Sequence, residues 1–436
     1  MASVIKNQQE VLNKLGIPKL NPMQEEALAA IGFNTNTVIL SPTGTGKTLA
    51  FLMPLLELLD PGIEGIQALV LVPSRELAIQ IEQVARDMGS GYKINAVYGG
   101  RDIYKDRTDL KHPPAILIGT PGRIADHFRQ ERLSTDNIET LVLDEFDKAL
   151  ETGFEKEMKE IIKACSNITT RILTSATQGV SIPNFVQAEQ AITIDYLNSG
   201  VSKLVIKSVV SPTRDKQHTL IKLLNYIGDK PGIIFCNLKD SIQVVSDFLK
   251  EQNVEHECFY GGMEQRDRER SLIKFRNGSC QLIVATDLAA RGLDIPELQF
   301  IIHYELPFKK EEFIHRNGRT ARVHAEGTAY VLKWAEKPLP HFIEEAPEIT
   351  PTQGGKRQAP YWKTLLISGG RQDKISKGDV AGLFFKQGNL GKEELGVIEL
   401  KQDCTFVAVP AIKAVALTGQ LNNTRLKKKK VRITLV

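Results

Sequence analysis

Cysteine is scarce in this chain and unpatterned. Its five cysteines, at positions 165, 236, 258, 280 and 404, are odd in number and never spaced as CxxC. That argues against a disulfide scaffold or a zinc knuckle and for a reducing cytosol. The eight histidines show no metal-ligand spacing either. No apolar run approaches the roughly 20 residues that a membrane-spanning helix needs. The opening MASVIKNQQE lacks the apolar core of a signal peptide. These absences lead us to expect a cytoplasmic protein with no membrane partner; a monomer is our expectation, though nothing in the residues fixes the oligomeric state.

What is present is ordinary in amount and uneven in distribution. A hydrophobic fraction of 42% and a charged fraction of 25% are those of a folded soluble chain. Its 436 residues allow about three domains. Residues 351–436 hold 16 Lys+Arg against 6 Asp+Glu, a net of +10, which leaves 40 against 46, or −6, for the rest. A basic terminal domain on a mildly acidic body suits a polyanion held by the tail, although a merely solvated lysine-rich tail fits the charge equally well.

Short apolar runs alternate with helix-period segments to about residue 335. TVILSPTGTGKTLAFLMPLLELL, ALVLVPSRELAIQIEQVARDM and AILIGTPGRIADHF each read as strand, turn and helix. The pattern resumes after Lys203 with GIIFCNLKDSIQVVSDFLKEQ, QLIVATDLAARGLDI and FIIHYELP. Strands alternating with helices predict parallel sheets covered on both faces, with ligands at the carboxyl ends of the strands. A polar stretch over 196–212 suggests a join between two α/β domains. A second boundary is marked by EKPLPHFIEEAPEITPTQGGKRQAP, whose five prolines read as a linker. The remaining strands and helices suggest a small β-α-β-β-α-β domain. We therefore expect domains over 1–202 and 203–336, a linker over 337–360 and a third domain over 361–436.

The strongest local signal is SPTGTGKT, which follows the strand TVIL and precedes a helix. Apart from Ser41 in place of the first glycine, it fits a phosphate-binding P-loop of Ser41, Pro42, Thr43, Gly44, Thr45, Gly46, Lys47 and Thr48. Gly44 and Gly46 let backbone N–H groups wrap an anion at a helix N-terminus. Lys47 would reach the β- and γ-phosphates, and Thr48 would place its hydroxyl on Mg²⁺. A second strand, TLVL, runs into Asp144, Glu145, Phe146 and Asp147. Alone, such acids are more often a solvated turn or a helix cap. Beside a P-loop, Asp144 becomes the metal-holding acid and Glu145 the general base that activates water.

With these residues in place, the order and spacing of the remaining motifs resemble the DEAD-box ATP-dependent RNA helicases over nearly all of residues 14–335. The resemblance implies two tandem RecA-like P-loop domains, parallel sheets flanked by helices, followed by a small α+β RRM-like domain. GIPKLNPMQ resembles the motif that makes Gln24 the reader of adenine, an amide having both donor and acceptor for a base edge. PSRELAIQ, GG and TPGR imply RNA-backbone contacts by Pro73, Arg75, Gly100, Thr120, Gly122 and Arg123. SAT implies that Ser175 and Thr177, with Asp147, couple hydrolysis to duplex opening. In the second half QRDRERSLIKF would place Gln265 and Arg268 on RNA. ATDLAARGLD would give Thr286 to RNA and Asp294 to the ribose, and HRNGRTAR would supply Arg319 and Arg322 to the γ-phosphate.

The last domain is similar to the RRM-like tail of bacterial DEAD-box helicases that bind a hairpin of large-subunit ribosomal RNA. It lacks the aromatic-rich string on which most RRM sheets stack bases, Phe406 being the one obvious aromatic on its strand. Arg371, Lys374, Lys377 and the lysines at 427–430 are then the expected RNA contacts. A protein-interaction module is the other reading of this domain. Phe146 departs from the family, which usually has alanine there. An oversized core residue typically costs about 1–3 kcal/mol unless its neighbours shrink to fit. We expect such compensation and intact hydrolysis. The competing reading is a hydrolysis-impaired, ATP-gated RNA clamp; a DNA-directed translocase is disfavoured by TPGR and SAT.

Overall fold

The computed structural model describes residues 7–177, 181–197, 204–287, 298–320, 327–343, 346–352, 354–355 and 357–436. The chain divides into two compact units, each described here by itself.

The first unit is built on seven strands: β1 (Asn36–Leu40), β2 (Ala68–Leu71), β3 (Ile94–Val97), β4 (Ile116–Gly119), β5 (Thr140–Leu143), β6 (Thr170–Ser175) and β7 (Ile192–Asp195). They lie in the order β3-β4-β2-β5-β6-β1-β7, with every pairing parallel. Four of them, β2 to β5, are buried at every residue, as continuous apolar strands covered by helices on both faces should be. Two buried clusters, one centred on Phe51, Leu52 and Val70 and the other on Leu69, Leu143 and Phe146, fill the faces of the sheet.

The order has a direct consequence for chemistry. Strand β6 lies between β1 and β5, with Leu40 in register with Ser175 and Leu143 with Leu173. Three consecutive neighbours therefore end at one edge, bringing together segments about a hundred residues apart in sequence.

The second unit holds a six-stranded parallel sheet and a four-stranded antiparallel one. The former comprises β8 (Leu204–Ser211), β9 (Gly232–Phe235), β10 (Glu257–Phe259), β11 (Leu282–Ala285), β12 (Phe300–His303) and β13 (Gly327–Trp334), in the order β10-β11-β9-β12-β13-β8. Next in sequence come β14 (Trp362–Ile367), β15 (Ile398–Leu400) and β16 (Thr405–Pro410). A short hairpin of β17 (Arg425–Leu426) and β18 (Lys429–Lys430) precedes β19 (Ile433–Leu435). The order β15-β16-β14-β19, with helices Lys377–Lys386 and Ala411–Leu421 packed on one face, realises the expected β-α-β-β-α-β domain.

The proline-rich segment before β14 does not run free. Leu339, Phe342 and Ile343 pack with Phe313 and Val331, and Ser208 of β8 bonds to the backbone at Pro347 and Ile349. Further on, Arg357 donates to the Lys230 carbonyl at 3.0 Å and to that of Gly228, and the Gln358 N–H donates to Asp229 at 2.8 Å.

Candidate nucleotide and RNA sites

At the end of β1 the chain makes a tight loop and enters helix Lys47–Leu58. Gly44 and Gly46 hold φ of 84° and 89°, the left-handed region that side chains rarely adopt. A Cβ on Gly46 would lie 2.5 Å from the Gln24 amide, so only glycine leaves room for this approach. Ser41 Oγ donates to Thr45 Oγ1 at 2.7 Å, which in turn donates to the Pro42 carbonyl at 2.9 Å. Lys47 Nζ donates to the carbonyls of Pro42, at 3.0 Å, and Ser41. The lysine is therefore buried and held over its own loop.

Gln24 forms a capping box with Asn21 at the start of helix Pro22–Phe33, and its Nε2 donates to the Gly46 carbonyl at 3.2 Å. Asn21 Nδ2 donates to the Thr45 carbonyl at 3.0 Å. The motif that carries Gln24 thus grips the phosphate loop with two amides. Asn21 was not among the expected residues, although its position three before Gln24 is the N-cap signature.

The acids stand at the end of β5. Thr174, the residue of β6 just past the Leu143–Leu173 register, donates its hydroxyl to Asp144 Oδ1 and accepts the Glu145 N–H at 3.1 Å. Burial, and then the charge of Glu145, push the Asp144 carboxyl up to about 6, against the opposing hydrogen bond from Thr174 and the charge of Lys47. Glu145 sits at φ 49°, ψ 48°, a left-handed conformation that costs a non-glycine residue about 1–3 kcal/mol. The strain falls on the residue expected to act on water.

Asp147 accepts from Thr177 Oγ1 at 3.1 Å, and Thr177 in turn bonds with Ser175 through its N–H at 3.0 Å. The expected coupling residues therefore form one buried network. Phe146 is buried and belongs to the hydrophobic cluster that also holds Leu143, Leu173, Ala149 and Met158.

The expected RNA contacts of the first unit lie on the loops after β2, β3 and β4 and at the starts of the helices that follow β2 and β4. Pro73 precedes the N-cap Ser74 of helix Arg75–Met88. A Cβ on Gly100, whose φ is 83°, would meet the Arg75 guanidinium at 2.4 Å, so the glycine pair makes room for that side chain. Thr120 caps helix Pro121–Arg129, and Gly122 has open space where a side chain would project. Arg123 is turned inward: Nε donates to Asp106 at 2.7 Å and an Nη to the Arg101 carbonyl at 2.8 Å. Asp106 is fully buried between Arg101, Arg123 and His127. Sequence reasoning missed it, because a lone aspartate on a short helix has no pattern of its own.

In the second unit Gln265 begins helix Gln265–Arg276, and its buried Oε1 has no hydrogen-bond partner among the described residues. Arg268 lies over the ring of Phe259, 4.7 Å from its centroid. Thr286 follows β11, its N–H bonded to the Phe259 carbonyl at 3.2 Å. Arg319 is buried just beyond helix Lys310–Asn317. Asp294 and Arg322 lie outside the described residues.

The residue that organises this region is Arg316, which the motif reading passed over. It forks onto Asp287 at 2.7 and 2.5 Å, and donates to Asn237 Oδ1 at 2.7 Å and the Glu305 carbonyl at 2.6 Å. One buried guanidinium so ties together the ends of β9, β11 and β12. Lysine cannot reproduce that fork. Arg316→Lys should lower the unfolding free energy of the second unit by about 1.5–3 kcal/mol, the worth of a hydrogen bond to a charged group. Chemical denaturation of wild type and variant would measure the difference.

In the C-terminal domain Arg371, Lys374 and Lys377 are all exposed. The lysine run forms the β17–β18 hairpin, where Lys427 pairs with Asp379 at 3.1 Å and Lys429 with Asp373 at 2.8 Å.

Comparison with known proteins shows the family. The chain matches the DEAD/DEAH box helicase family over residues 21–184 and the helicase conserved C-terminal domain over 215–324. It belongs to the DEAD-box family of ATP-dependent RNA helicases. Residues 364–435 match the DbpA RNA binding domain. The ATP-dependent RNA helicase DbpA of Escherichia coli (strain K12) is 33% identical over 98% of this chain and 96% of its own length. That of Bacillus subtilis (strain 168) is 29% identical over 97% and 96%. Among solved structures, S. cerevisiae Dbp5 bound to RNA and ADP BeF3 has a TM-score of 0.66 at 26% identity, covering 75% of this chain and 88% of that one.

Proposed function

We propose that this protein is an RNA-gated ATPase that locally opens short RNA duplexes, directed by its C-terminal domain to ribosomal RNA during assembly of the large subunit in the cytoplasm. The observation that carries the hydrolytic part is the three-strand edge of β1, β6 and β5. There Thr174 holds Asp144 and Glu145 together, and Asp144 feels the charge of Lys47.

In this reading the chain works as a monomer with an ATP-binding domain over 1–202, a second helicase domain over 203–336, a connecting segment over 337–360 and an RRM-like domain over 361–436. The donor set suits a hard divalent cation: a buried carboxylate at Asp144 and the hydroxyl of Thr48. Mg²⁺ held there would neutralise charge on the phosphates of ATP. Lys47 leaves the carbonyls of its own loop to meet those phosphates, and Gln24 reads the base. Glu145, fixed in its left-handed turn, takes the proton of the attacking water. Arg319 and Arg322 complete the charge stabilisation, and Asp294 holds the ribose. Because these groups come from both halves of the chain, RNA bound by Pro73, Arg75, Gly100, Thr120, Gly122, Arg123, Gln265, Arg268 and Thr286 gates turnover. In related NTPases an added arginine is worth about 10³–10⁵ in rate.

The position of Phe146 supports catalysis over the clamp reading. Its ring is absorbed by the core, while the Asp147–Thr177 hydrogen bond beside it is made. Steady-state ATP turnover by the whole chain, alone and with ribosomal RNA, is the test. We expect a low basal rate that rises sharply with RNA. A flat rate despite demonstrated RNA binding would establish the clamp instead. Replacing Arg371, Lys374 and Lys377 together by glutamate should remove the preference for ribosomal over homopolymer RNA and leave homopolymer-stimulated turnover near wild type.

A further inference from the structure

The C-terminal sheet has two faces, and alternation along its strands assigns them. Leu365, Ile367, Val407, Val409 and Ile433 pack against the domain's own helices. Thr364, Leu366, Phe406 and Ala408 lie on the other face, with Thr364 in register with Ala408, and Leu366 with Phe406. An RRM-like sheet that stacks bases would hold this second face open to solvent. Here Thr364, Phe406 and Ala408 are 1%, 5% and 0% exposed.

Ala408 lies beneath Gly396 of its own domain, but the contacts at Thr364 come from the second α/β domain, within the same compact unit. The turn that links helix Gln265–Arg276 to β11 reaches the centre of the face. Asn277 Nδ2 donates to Thr364 Oγ1 at 2.9 Å, and Thr364 Oγ1 donates to Ser279 Oγ at 2.8 Å. Gly278, at φ 76°, lies so close that a Cβ would meet the Trp362 ring at 3.2 Å. Around this polar centre stand ion pairs of alternating polarity. Arg276 forks onto Glu399 at 2.9 and 2.8 Å, Lys401 pairs with Glu269 at 2.6 Å, and Lys363 with Glu255 at 2.6 Å. The charges are complementary in both directions, as in an interface that fixes register.

The connecting segment reinforces this. As a free coil, residues 337–360 would let the domain range over about 25–30 Å. Instead the chain is anchored in succession at Ile343, at Pro347 and Ile349, at Arg357 and Gln358, and then at Lys363 and Thr364.

We propose that the open face of the C-terminal sheet is an intramolecular docking surface whose occupant is the Arg276–Ser279 turn. It serves as a protein contact, and RNA is bound elsewhere on the domain. The inference extends the reading of the C-terminal domain as the part that selects RNA. On that reading, docking converts a loose tether into a fixed frame. RNA held by the C-terminal domain is then presented to the second helicase domain in one orientation.

The test uses the full-length chain with Trp334→Phe, which leaves Trp362 as the sole tryptophan of the two in the sequence. Arg276→Glu, Glu399→Arg and the double reversal are compared by Trp362 emission and acrylamide quenching, without RNA. Each single reversal should shift emission to the red and increase quenching, and the double should restore both. Singles indistinguishable from the parent, or a double as loose as the singles, would overturn the docking. So would a red shift when purified ribosomal RNA is added to the parent, since RNA would then be competing for the face. In a second arm, the ratio of ribosomal-RNA-stimulated to homopolymer-stimulated ATP turnover should fall about tenfold in the singles, less than the roughly 10²–10⁴ of a full effective-concentration gain because the covalent connection remains. If Trp362 responds as expected while that ratio stays constant, the docking stands and its role in presenting RNA fails; the ribosomal RNA reading itself fails if the parent shows no preference for ribosomal over homopolymer RNA.

Discussion

Asp144→Asn should sharply lower hydrolysis and at the same time make the ligand-free protein more stable. The loss of activity follows from removing the only formal charge that the Asp144 side chain offers a cation: about 10²–10³-fold in turnover for several kcal/mol of lost transition-state stabilisation. The gain in stability follows from burial. In the folded protein the carboxyl titrates near 6, against the usual 3.8, because the charged form is desolvated and faces Glu145. Between those values the folded state binds more protons than the unfolded state, so stability falls as pH rises through the interval. The gap corresponds to about 3 kcal/mol at pH 7. Asparagine never carries the charge, so its advantage over aspartate should approach that figure above pH 6 and vanish below about pH 4. Denaturation of both proteins across pH, with the first unit followed by its own probe, would show this crossing. Magnesium and ATP should stabilise wild type more than the variant, because binding to the folded state alone raises stability and the variant lacks one ligand of the cation. A variant no more stable than wild type at pH 8 would mean that the buried charge is already compensated, with Lys47 and Thr174 as the compensating groups.

The second large effect concerns Phe146, and it separates two histories for the same residue. If the core has adapted to the ring, restoring the family's alanine empties a space within the buried cluster to which Phe146 belongs. Phe146→Ala should then cost about 3–5 kcal/mol, the usual range for a buried phenylalanine truncated without collapse. If instead the ring is overpacked, truncation relieves strain and costs little or stabilises. The complete burial of Phe146 within a continuous cluster, with the neighbouring Asp147–Thr177 bond intact, favours the first outcome. RNA-stimulated turnover at low temperature should stay within a few-fold of wild type in either case, since both acids are untouched. A large fall in turnover with unchanged stability would assign Phe146 to the coupling step.

Much of this was legible in the residues. SPTGTGKT following an apolar strand dictates a phosphate loop, because glycine alone tolerates the backbone that Gly44 and Gly46 adopt. The apolar runs of β2 and β5 declare strands buried on both faces. Basic residues gathered after residue 351 mark the last domain as positively charged, which suits a polyanion and a solvated tail equally. Those signals are local: they depend on side-chain size, backbone freedom and hydrophobic period within a few residues. What the sequence could not declare is which distant segments become neighbours. Thr174 matters only because β6 is inserted between β1 and β5. Asp106 and Arg316 matter only because burial places them among groups of matching charge from other elements. The proline-rich segment looked free because its anchors, Ser208, Gly228 and Asp229, are more than a hundred residues away. The C-terminal sheet likewise carries an ordinary strand pattern, and only the tertiary structure decided that its outer face meets protein. Local sequence determines which groups are present, and long-range packing decides which of them are desolvated, paired or exposed, because both burial and electrostatics depend on distance in space and not along the chain.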